Sequence, residues 1–231
     1  SVTHRTPMLS LDNTYSKEEV AEFDQRLKRR VTDKAWTYVV EPKIDGVAVN
    51  LTYQKGLLVL AASRGDGQTG DDITENVKTI RSIPLRLNHH NLPVPELLEV
   101  RGELYMSNAG FAILNEKRQA EGQAAFVNPR NAAAGSLKLL DPREVARRPL
   151  DGIFYGVGTI EGADFETHEA LLDALKCWGF KIHETVWKTS SIAEVQHAID
   201  EIGAAQKAHD YDMDGAVIKV NERTLYGELG Y

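Results

Sequence analysis

The strongest constraint on the fold of this chain is the stretch YVVEPKIDGVAVNLTY, residues 38–53. Val, Ile, Ala and Leu dominate it, which is typical of a buried β-strand, yet Glu41, Lys43 and Asp45 occupy alternate positions. Side chains two residues apart in an extended strand lie on the same face, so these three charges would share one face. Because burying an unpaired charge costs free energy, the stretch predicts either a structural ion cluster or a functional site.

The length and composition are those of a globular protein with a substantial core. The chain has 231 residues, of which 42% are hydrophobic and 26% charged. No apolar run approaches the roughly 18 residues of a membrane span, and SVTHRTPMLSLDN at the start lacks the basic and apolar segments of a signal peptide. Cys177 is the only cysteine, which excludes a disulfide framework and a Cys-rich zinc site within the chain. We expect a cytoplasmic protein that does not contact a membrane.

The net charge argues against a protein that binds nucleic acid through bulk charge. The formal net charge is -7 and the isoelectric point is near 5.5. Two local basic segments, RLKRR (26–30) and PREVARRP (142–149), are candidates for a patch, but we interpret both as solvated surface.

Hydrophobic periodicity predicts an irregular succession of helices and strands. Apolar residues at helical spacing, with capping signals, predict helices over 16–31, 72–80, 107–121, 131–140, 167–178 and 191–207. Apolar runs predict strands over 36–41, 47–53, 57–62, 97–105, 153–157 and 216–220. Because strands and helices do not alternate regularly, we expect an α+β fold of mainly antiparallel sheets flanked by helices.

A sequence pattern that occurs twice suggests that two strands line one cleft. KIDGVAVNL begins at Lys43, and the similar DMDGAVIKVN begins at Asp212. Both place Asp-Gly directly before an apolar strand, and both carry a lysine near that strand. Asp-Gly turns are common, but the shared context favours a cleft lined from both sides.

A glycine-rich segment invites a different interpretation. GDGQTG, residues 65–70, matches the G-x-G-x-x-G pattern of dinucleotide-binding folds. Those folds also have an acidic residue at the end of a second strand, roughly 20 residues on. Here only Glu75 lies between Asp72 and Glu96, and it falls inside a predicted helix. We therefore expect a tight turn and disfavour a nicotinamide oxidoreductase.

Several separated segments together resemble one family. EPKIDG (41–46) looks like the lysine motif of the covalent nucleotidyltransferases, which include DNA ligases and RNA capping enzymes. The resemblance narrows to the NAD-dependent bacterial DNA ligases through SRGDGQTGDDITENVKTI (63–80), LEVRGE (98–103), NPRNAAAGSLK (128–138), MDGAVIKVN (213–221) and PMLSLDN (7–13). It implies a nucleotidyltransferase (ATP-grasp-like ligase) fold with a central nucleotide cleft.

The resemblance implies a reaction in three steps. Lys43 attacks the α-phosphorus of the adenylate half of NAD, nicotinamide mononucleotide leaves, and a Lys–AMP phosphoramidate remains. AMP then passes to the 5′-phosphate of nicked double-stranded DNA, and the 3′-hydroxyl displaces it to seal the nick. A lysine acts as a nucleophile only without its proton. A cationic group must therefore offset Glu41 and Asp45, and Lys219 and Mg²⁺ are the candidates.

The resemblance also implies which residues contact the nucleotide. Glu41 would contact the adenine edge, Tyr155 would stack on the adenine face, and Lys219 would reach the α-phosphate. For Tyr155, a core aromatic residue on a strand is the competing interpretation. The full set of expected NAD contacts is Ser10, Leu11, Glu41, Lys43, Arg64, Glu103, Tyr155 and Lys219.

Further roles concern catalysis, metal and DNA. The implied catalytic residues are Lys43, Asp45, Glu103, Asp214 and Lys219. Glu103 and Asp214 are also the expected Mg²⁺ ligands. Arg130 and Lys138 match positions that bind the 5′-phosphate of the nick. Lys138 stands where the family usually has arginine, which removes bidentate recognition of a phosphate.

The resemblance treats residues 1–231 as one adenylation domain, which we expect to be monomeric. In the family it is accompanied by an upstream nicotinamide-binding domain and by a downstream OB-fold, zinc finger and DNA-binding modules, so zinc is expected only in that downstream part. A further basic residue is expected before MDG, as Lys207 or His209.

Two alternative functions stay open: an ATP-dependent ligase or capping-type nucleotidyltransferase, and a non-catalytic nucleic-acid-binding scaffold. NPRNAAAGSL favours NAD, and the intact set of lysines and acids favours catalysis.

Overall fold

The structure, a computed structural model, describes residues 1–6, 8 and 16–230. Its strands in chain order are β1 (Val2–Thr3), β2 (Tyr38–Ile44), β3 (Val47–Gln54), β4 (Leu57–Ser63), β5 (Thr69–Gly70), β6 (Leu97–Met106), β7 (Leu150–Glu161), β8 (Trp187–Thr189) and β9 (Met213–Val220). Its α-helices are α1 (Lys17–Arg30), α2 (Thr74–Val77), α3 (Asn108–Ala120), α4 (Pro129–Leu137), α5 (Pro142–Val145), α6 (His168–Trp178), α7 (Ile192–Ala205) and α8 (Tyr226–Leu229). Within these described residues, no helix is long and apolar enough to span a membrane.

Antiparallel pairing joins the described strands into sheets, which confirms the predicted α+β class. One sheet has the order β8-β2-β9, a second has the order β4-β3-β6-β7, and β1 pairs with β5. The consecutive strands β2 and β3 belong to different sheets, so the chain passes from one sheet to the other at Asp45 and Gly46. This crossing places the segment around Lys43 between the two larger sheets.

Each larger sheet has its own apolar core. The three-stranded sheet packs against α1 and α7, where Val40, Leu27 and Val195 are buried together. The four-stranded sheet packs against α6, where Leu171 and Trp178 are buried. One face of each sheet is thus buried in its core. The polar face of β2 is turned toward the cleft between the two sheets.

Local sequence signals correctly predict the starts of the long helices. Ser16, Ser107, Thr167 and Ser191 are N-caps, and the side chain of each accepts a hydrogen bond from the backbone N–H three residues on. These hydrogen bonds satisfy helix donors that have no partner inside the helix. The four helices predicted at these positions are confirmed.

The predicted helix over 72–80 is wrong in length, since α2 covers only Thr74–Val77. The hydroxyl of Thr79 donates to the carbonyl of Asn76 at 2.7 Å, and the amide of Asn76 donates to the carbonyl of Leu137 at 2.8 Å. Such side-chain bonds compete with the backbone bonds of a longer helix. The apolar residues that suggested the helix are nevertheless buried, because turns bring them to the core.

Several strands extend beyond their predicted ranges, and β7 and β9 lengthen the most. β7 extends in both directions beyond 153–157, and β9 begins at Met213, so Asp214 and Gly215 belong to the strand. The short strands β1, β5 and β8 were not predicted. Their few residues carry no periodicity, and only pairing with distant strands identifies them.

The glycine-rich segment begins with the predicted turn, residues 65–68, and ends in β5. Gly65 and Gly67 have φ values of 59° and 94°, which favour glycine. The preceding strand β4 lies in an antiparallel sheet, and α2 is only four residues long. The segment therefore lacks the parallel β-α-β context of a dinucleotide-binding fold.

Gly46 is required by a close approach between strands. A Cβ atom at this position would overlap the backbone carbonyl oxygen of Leu104 and would also lie 3.3 Å from the Cβ atom of Tyr105. Because the main obstacle is backbone, a side-chain rotation does not relieve the overlap. The glycine after Asp45 therefore serves the passage of the chain between the sheets.

Substitution of Gly46 tests this packing. Gly46→Ala should lower the free energy of unfolding by about 1–3 kcal/mol, because overpacking at a rigid site displaces backbone. Gly203→Ala is the matched control, since Gly203 lies inside α7 with nothing within 4 Å of the added methyl. The control should raise stability by roughly 0.5–1 kcal/mol. Chemical denaturation of both variants measures the difference, and equal effects would contradict the close approach.

Candidate active site

A cleft lies where β2 and β9 face the four-stranded sheet. Alternation along β2 places Tyr38 and Val40 in the core and turns Glu41 and Lys43 toward the cleft. Asp45 follows the end of the strand, so the predicted polar face is confirmed for the first two charges. The residues that line the cleft are Glu41, Pro42, Lys43, Ile44, Glu103, Ile153, Tyr155, His183, Val217 and Lys219.

Glu41 is the centre of a buried ion cluster. Its Oε2 lies 2.9 Å from Nζ of Lys219, and its Oε1 lies 3.0 Å from Nε2 of His168. Burial alone would raise the pKa of Glu41, but Lys219 and His168 hold it at about 2. Burial and Lys219 also lower the pKa of His168. The imidazole is therefore neutral at pH 7, and its Nε2–H donates to the carboxylate.

Tyr155 occupies a bulge in β7. Gly102 of β6 pairs with Phe154, whereas the residue before it pairs with Gly156, so Tyr155 is the extra residue. Its carbonyl accepts a hydrogen bond from Nζ of Lys219 at 3.0 Å, and the same Nζ lies 5.0 Å from its ring centroid. Tyr155 therefore lines the cleft, and its stacking role stays a prediction.

Glu103 is a largely buried acid on the opposite side of the cleft. Its Oε1 accepts a hydrogen bond from the hydroxyl of Tyr155 at 3.3 Å. Burial raises the pKa of Glu103 to about 7, against the opposing effects of Tyr155, Arg130 and Arg64. The charge of Asp214 adds to the increase. A carboxyl group with this pKa exchanges a proton near neutral pH.

Asp45 and Arg130 form an ion pair near Lys43 and Glu103. Nη1 of Arg130 lies 3.6 Å from Oδ1 of Asp45. Burial and the nearby carboxylate of Asp214 raise the pKa of Asp45, while Arg130 and Lys43 act in the opposite direction. Arg130 and Asp214 act on the charges of both Asp45 and Glu103, and Lys43 acts on Asp45, so these groups form one cluster.

The other expected contacts are more distant or lie outside the structure. Arg130 is in the first turn of α4, whereas Lys138 is exposed at the C-terminal cap of that helix, about 12 Å further along the axis. Ser10 and Leu11 lie outside the described residues. The roles of these residues stay predictions.

Two histidines of the site were missed by the sequence analysis. His168 contacts Glu41, and His183 lines the cleft, where burial lowers its pKa to about 4. No neighbouring residue in the sequence indicates that either histidine belongs to the site, because only the folded chain brings them close to β2. The only available clue was Thr167, whose capping role makes His168 the first residue of α6.

The basic residue expected before MDG has two candidates in the structure. Lys207 is exposed in the 3₁₀ turn Gln206–Ala208, and His209 stacks on Tyr211 with ring centroids 5.0 Å apart. Within the described part of the chain, neither forms an ion pair with a cleft acid. The assignment stays a prediction.

The described acids do not form a metal site by themselves. The described residues contain no group of three or more His, Cys, Asp or Glu side chains that could hold a metal ion. Glu103 and Asp214 are close enough for the charge of one to affect the other. Mg²⁺ commonly uses one or two carboxylates together with substrate phosphates, and this pair is compatible with that mode. Mg²⁺ at these residues stays a prediction.

Comparison with known families identifies the relatives of the chain. The family model of the NAD-dependent DNA ligase adenylation domain matches residues 1–231. The chain belongs to this family. The match covers every segment from which the sequence predicted the resemblance, including the motif of Lys43.

Two curated relatives agree with the family assignment. The DNA ligase of Methylacidiphilum infernorum (isolate V4) is 51% identical over 230 residues, which are 100% of this chain and 33% of that protein. The DNA ligase of Syntrophus aciditrophicus (strain SB) is 46% identical over 98% of this chain and 34% of that protein. A solved ATP-dependent DNA ligase from bacteriophage T7, in complex with ATP, covers 94% of this chain and 65% of its own at 14% identity, with a TM-score of 0.45. The chain spans about a third of the length of the curated relatives it matches.

Glu103→Gln should stabilise the adenylation domain at high pH. The pKa of Glu103 is raised in the folded state from 4.5 to about 7, so its contribution to stability is fully present below pH 4.5 and is lost as the pH rises through 7. The loss approaches roughly 3 kcal/mol above that pH, and glutamine avoids it because it does not ionise.

Thermal unfolding between pH 5 and pH 9 measures this effect. The stability advantage of Glu103→Gln over the unsubstituted protein should grow with pH. Glu75→Gln is the control, because Glu75 is an exposed residue paired only across the surface with Lys78 at 3.3 Å. An advantage of Glu103→Gln that is the same at both ends of the range would contradict the raised pKa.

Proposed function

We propose that this chain is the adenylyltransferase unit of an NAD-dependent DNA ligase and that Lys43 is its covalent nucleophile. The observation that carries the proposal is the position of Lys43, which lines one cleft with Glu41, Glu103 and Lys219 in a chain of this family. We further propose that residues 1–231 form a single adenylation domain.

The first step transfers AMP from NAD to the protein. The amine of Lys43 attacks the α-phosphorus, an N–P bond forms, and the bond from that phosphorus to the bridging pyrophosphate oxygen breaks. Nicotinamide mononucleotide leaves with that oxygen, and the amine loses a proton. Glu103 lines the same cleft, and an acid with a pKa of about 7 can exchange protons at neutral pH.

Adenine recognition falls to Tyr155 and Glu41. The ring of Tyr155 lines the cleft at a bulge, where an aromatic face can stack on a base. Both oxygens of Glu41 already accept from Lys219 and His168. A carboxylate has about four acceptor positions, so Glu41 can still accept from the amino group of adenine.

Lys219 supplies the positive charge that the sequence predicts beside the acids. Its ammonium is held between Glu41 at 2.9 Å and the carbonyl of Tyr155 at 3.0 Å. A cation fixed in this way neutralises the Glu41 carboxylate and can attract the α-phosphate. Mg²⁺, when bound by Glu103 and Asp214, would supply further neutralisation of phosphate charge.

The later steps act on nicked double-stranded DNA. AMP passes from Lys43 to a 5′-phosphate oxygen, which restores the amine, and the 3′-hydroxyl then attacks that phosphorus and releases AMP. Arg130 and Lys138 are the proposed phosphate contacts on α4, with Lys138 acting as a point charge. Contacts of this kind position DNA without reading its sequence. We expect the protein to act as a monomer in the cytoplasm.

The alternatives differ in substrate or in the absence of chemistry. An ATP-dependent ligase or capping enzyme would attack the same phosphorus but release pyrophosphate, and family membership favours NAD. A non-catalytic nucleic-acid-binding scaffold would not need a buried ion cluster beside an amine. Neither alternative has an observation in its favour.

Lys43→Ala in the full-length gene product should abolish attachment of AMP from NAD. Sealing of a pre-adenylated nick should persist, because that step no longer uses the nucleophile. Intact-protein mass spectrometry measures the first reaction, and gel analysis of a pre-adenylated nicked duplex measures the second. ATP replaces NAD in a parallel reaction to test the alternative substrate.

Lys28→Ala is the control for this experiment. Lys28 is an exposed residue on α1 whose ion pair with Asp24 is 2.8 Å long, and its loss should leave both reactions unchanged. An equal loss of both reactions in Lys43→Ala would indicate a structural lysine and would contradict the covalent role.

A further inference from the structure

The segment before β9 caps the helix that follows β6 of the other large sheet. This connecting loop, residues 209–212, follows α7 and leads into β9. The backbone carbonyl of Asp210 accepts a hydrogen bond from the amide of Asn108 at 3.0 Å, and its Oδ1 accepts from the amide of Ala109 at 3.2 Å. These amides are the first two of α3, and neither has an acceptor inside the helix. Asp210 therefore satisfies both of them, although it lies 101 positions from Ala109 in the chain.

The connecting loop is also attached to the edge of the active site. The carbonyl of Asp212 accepts from the amide of Asp45 at 3.0 Å. The ring of Tyr211 packs edge-on against Tyr105 with centroids 5.2 Å apart, and Nζ of Lys181 donates to the hydroxyl of Tyr105 at 2.8 Å. The loop is therefore fixed on both sides of the position where β9 begins.

Asp214 lies two residues beyond this fixed loop. Its charge affects both Asp45 and Glu103, so its placement matters for the acids around Lys43. The residue between, Met213, is buried and paired with Ile44 of β2. Asp212 is bonded to Asp45 and Met213 is paired with Ile44, so the loop and the first residues of β9 together determine the position of Asp214.

We propose that Asp210 is a positioning residue for the adenylyltransfer reaction, a role that rests on the proposed function. By capping α3, its side chain holds the connecting loop and thereby sets where Asp214 lies relative to Lys43. Asp210 itself does not touch the reacting atoms.

The chain provides a matched control within the same helix. Ser107 is the N-cap of α3, and its Oγ accepts from the amide of Gly110 at 3.0 Å. Loss of either cap removes one side-chain hydrogen bond from the same helix end. Only Asp210 also belongs to the segment that carries β9. A purely structural role predicts the same result for both residues, and a positioning role does not.

The test compares Asp210→Ala, Asp210→Asn and Ser107→Ala in the full-length gene product. Single-turnover formation of Lys43–AMP at saturating NAD should slow by about tenfold or more in Asp210→Ala, because small misplacements of reacting groups are costly. The NAD concentration at half-maximal rate should change by less than about twofold, since Asp210 bonds to the start of α3 and not to Glu41 or Tyr155. Asp210→Asn keeps the acceptor and should recover most of the rate. Ser107→Ala should shift the unfolding temperature similarly and keep the rate.

Hydrogen exchange gives a second readout that does not depend on activity. The amide of Asp45 donates to the connecting loop, so its exchange should accelerate in Asp210→Ala and not in Ser107→Ala. Unchanged exchange at Asp45, or equal rate losses in Asp210→Ala and Ser107→Ala, would overturn the positioning role. Absence of Lys43–AMP in the unsubstituted protein would instead overturn the proposed function. In that case the hydrogen exchange of Asp45 would still decide whether Asp210 holds the connecting loop.

Discussion

The buried ion pair between Glu41 and Lys219 holds the cleft together. Glu41 lies on β2 and Lys219 on β9, and the ammonium also donates to the carbonyl of Tyr155 on β7. The same charge therefore joins the three-stranded sheet to the four-stranded one. Removing one partner of a buried pair leaves the other uncompensated, which typically costs 3–5 kcal/mol. The relative placement of Lys43, the ring of Tyr155 and Glu103 depends on this pair.

The acids around the cleft have the opposite effect on stability. Burial raises the pKa values of Glu103 and Asp45, which means that the fold disfavours their charged forms. An arrangement chosen only for stability would pair or remove these groups. Perturbed acids are concentrated where a site has chemistry to perform, and the fold tolerates them because two separate cores supply its stability.

Sequence reasoning was successful where structure depends on neighbouring residues. Capping signals predict where the long helices begin, and alternation predicts that Glu41 and Lys43 share a polar face. His168 and Glu41 are 127 positions apart in the chain, and no neighbouring residue of either one predicts their contact. The helix expected over 72–80 was wrong because side-chain hydrogen bonds end it early, although Val77 and Ile80 are buried as its pattern required. Motif resemblance, and not periodicity, predicted the family.

The irregular register of β7 restricts how the length of this strand can vary. Phe154, Val157 and Ile160 all pack in one core although they are three residues apart, because the register with β6 shifts twice. Because the core residues do not alternate with polar ones, the sequence pattern predicts only part of the strand. Loss of one residue between Phe154 and Ile160 would exchange the inward and outward faces on one side of the deletion and turn Tyr155 or a core residue the wrong way. Homologous chains should therefore differ here by substitution and not by insertion or deletion.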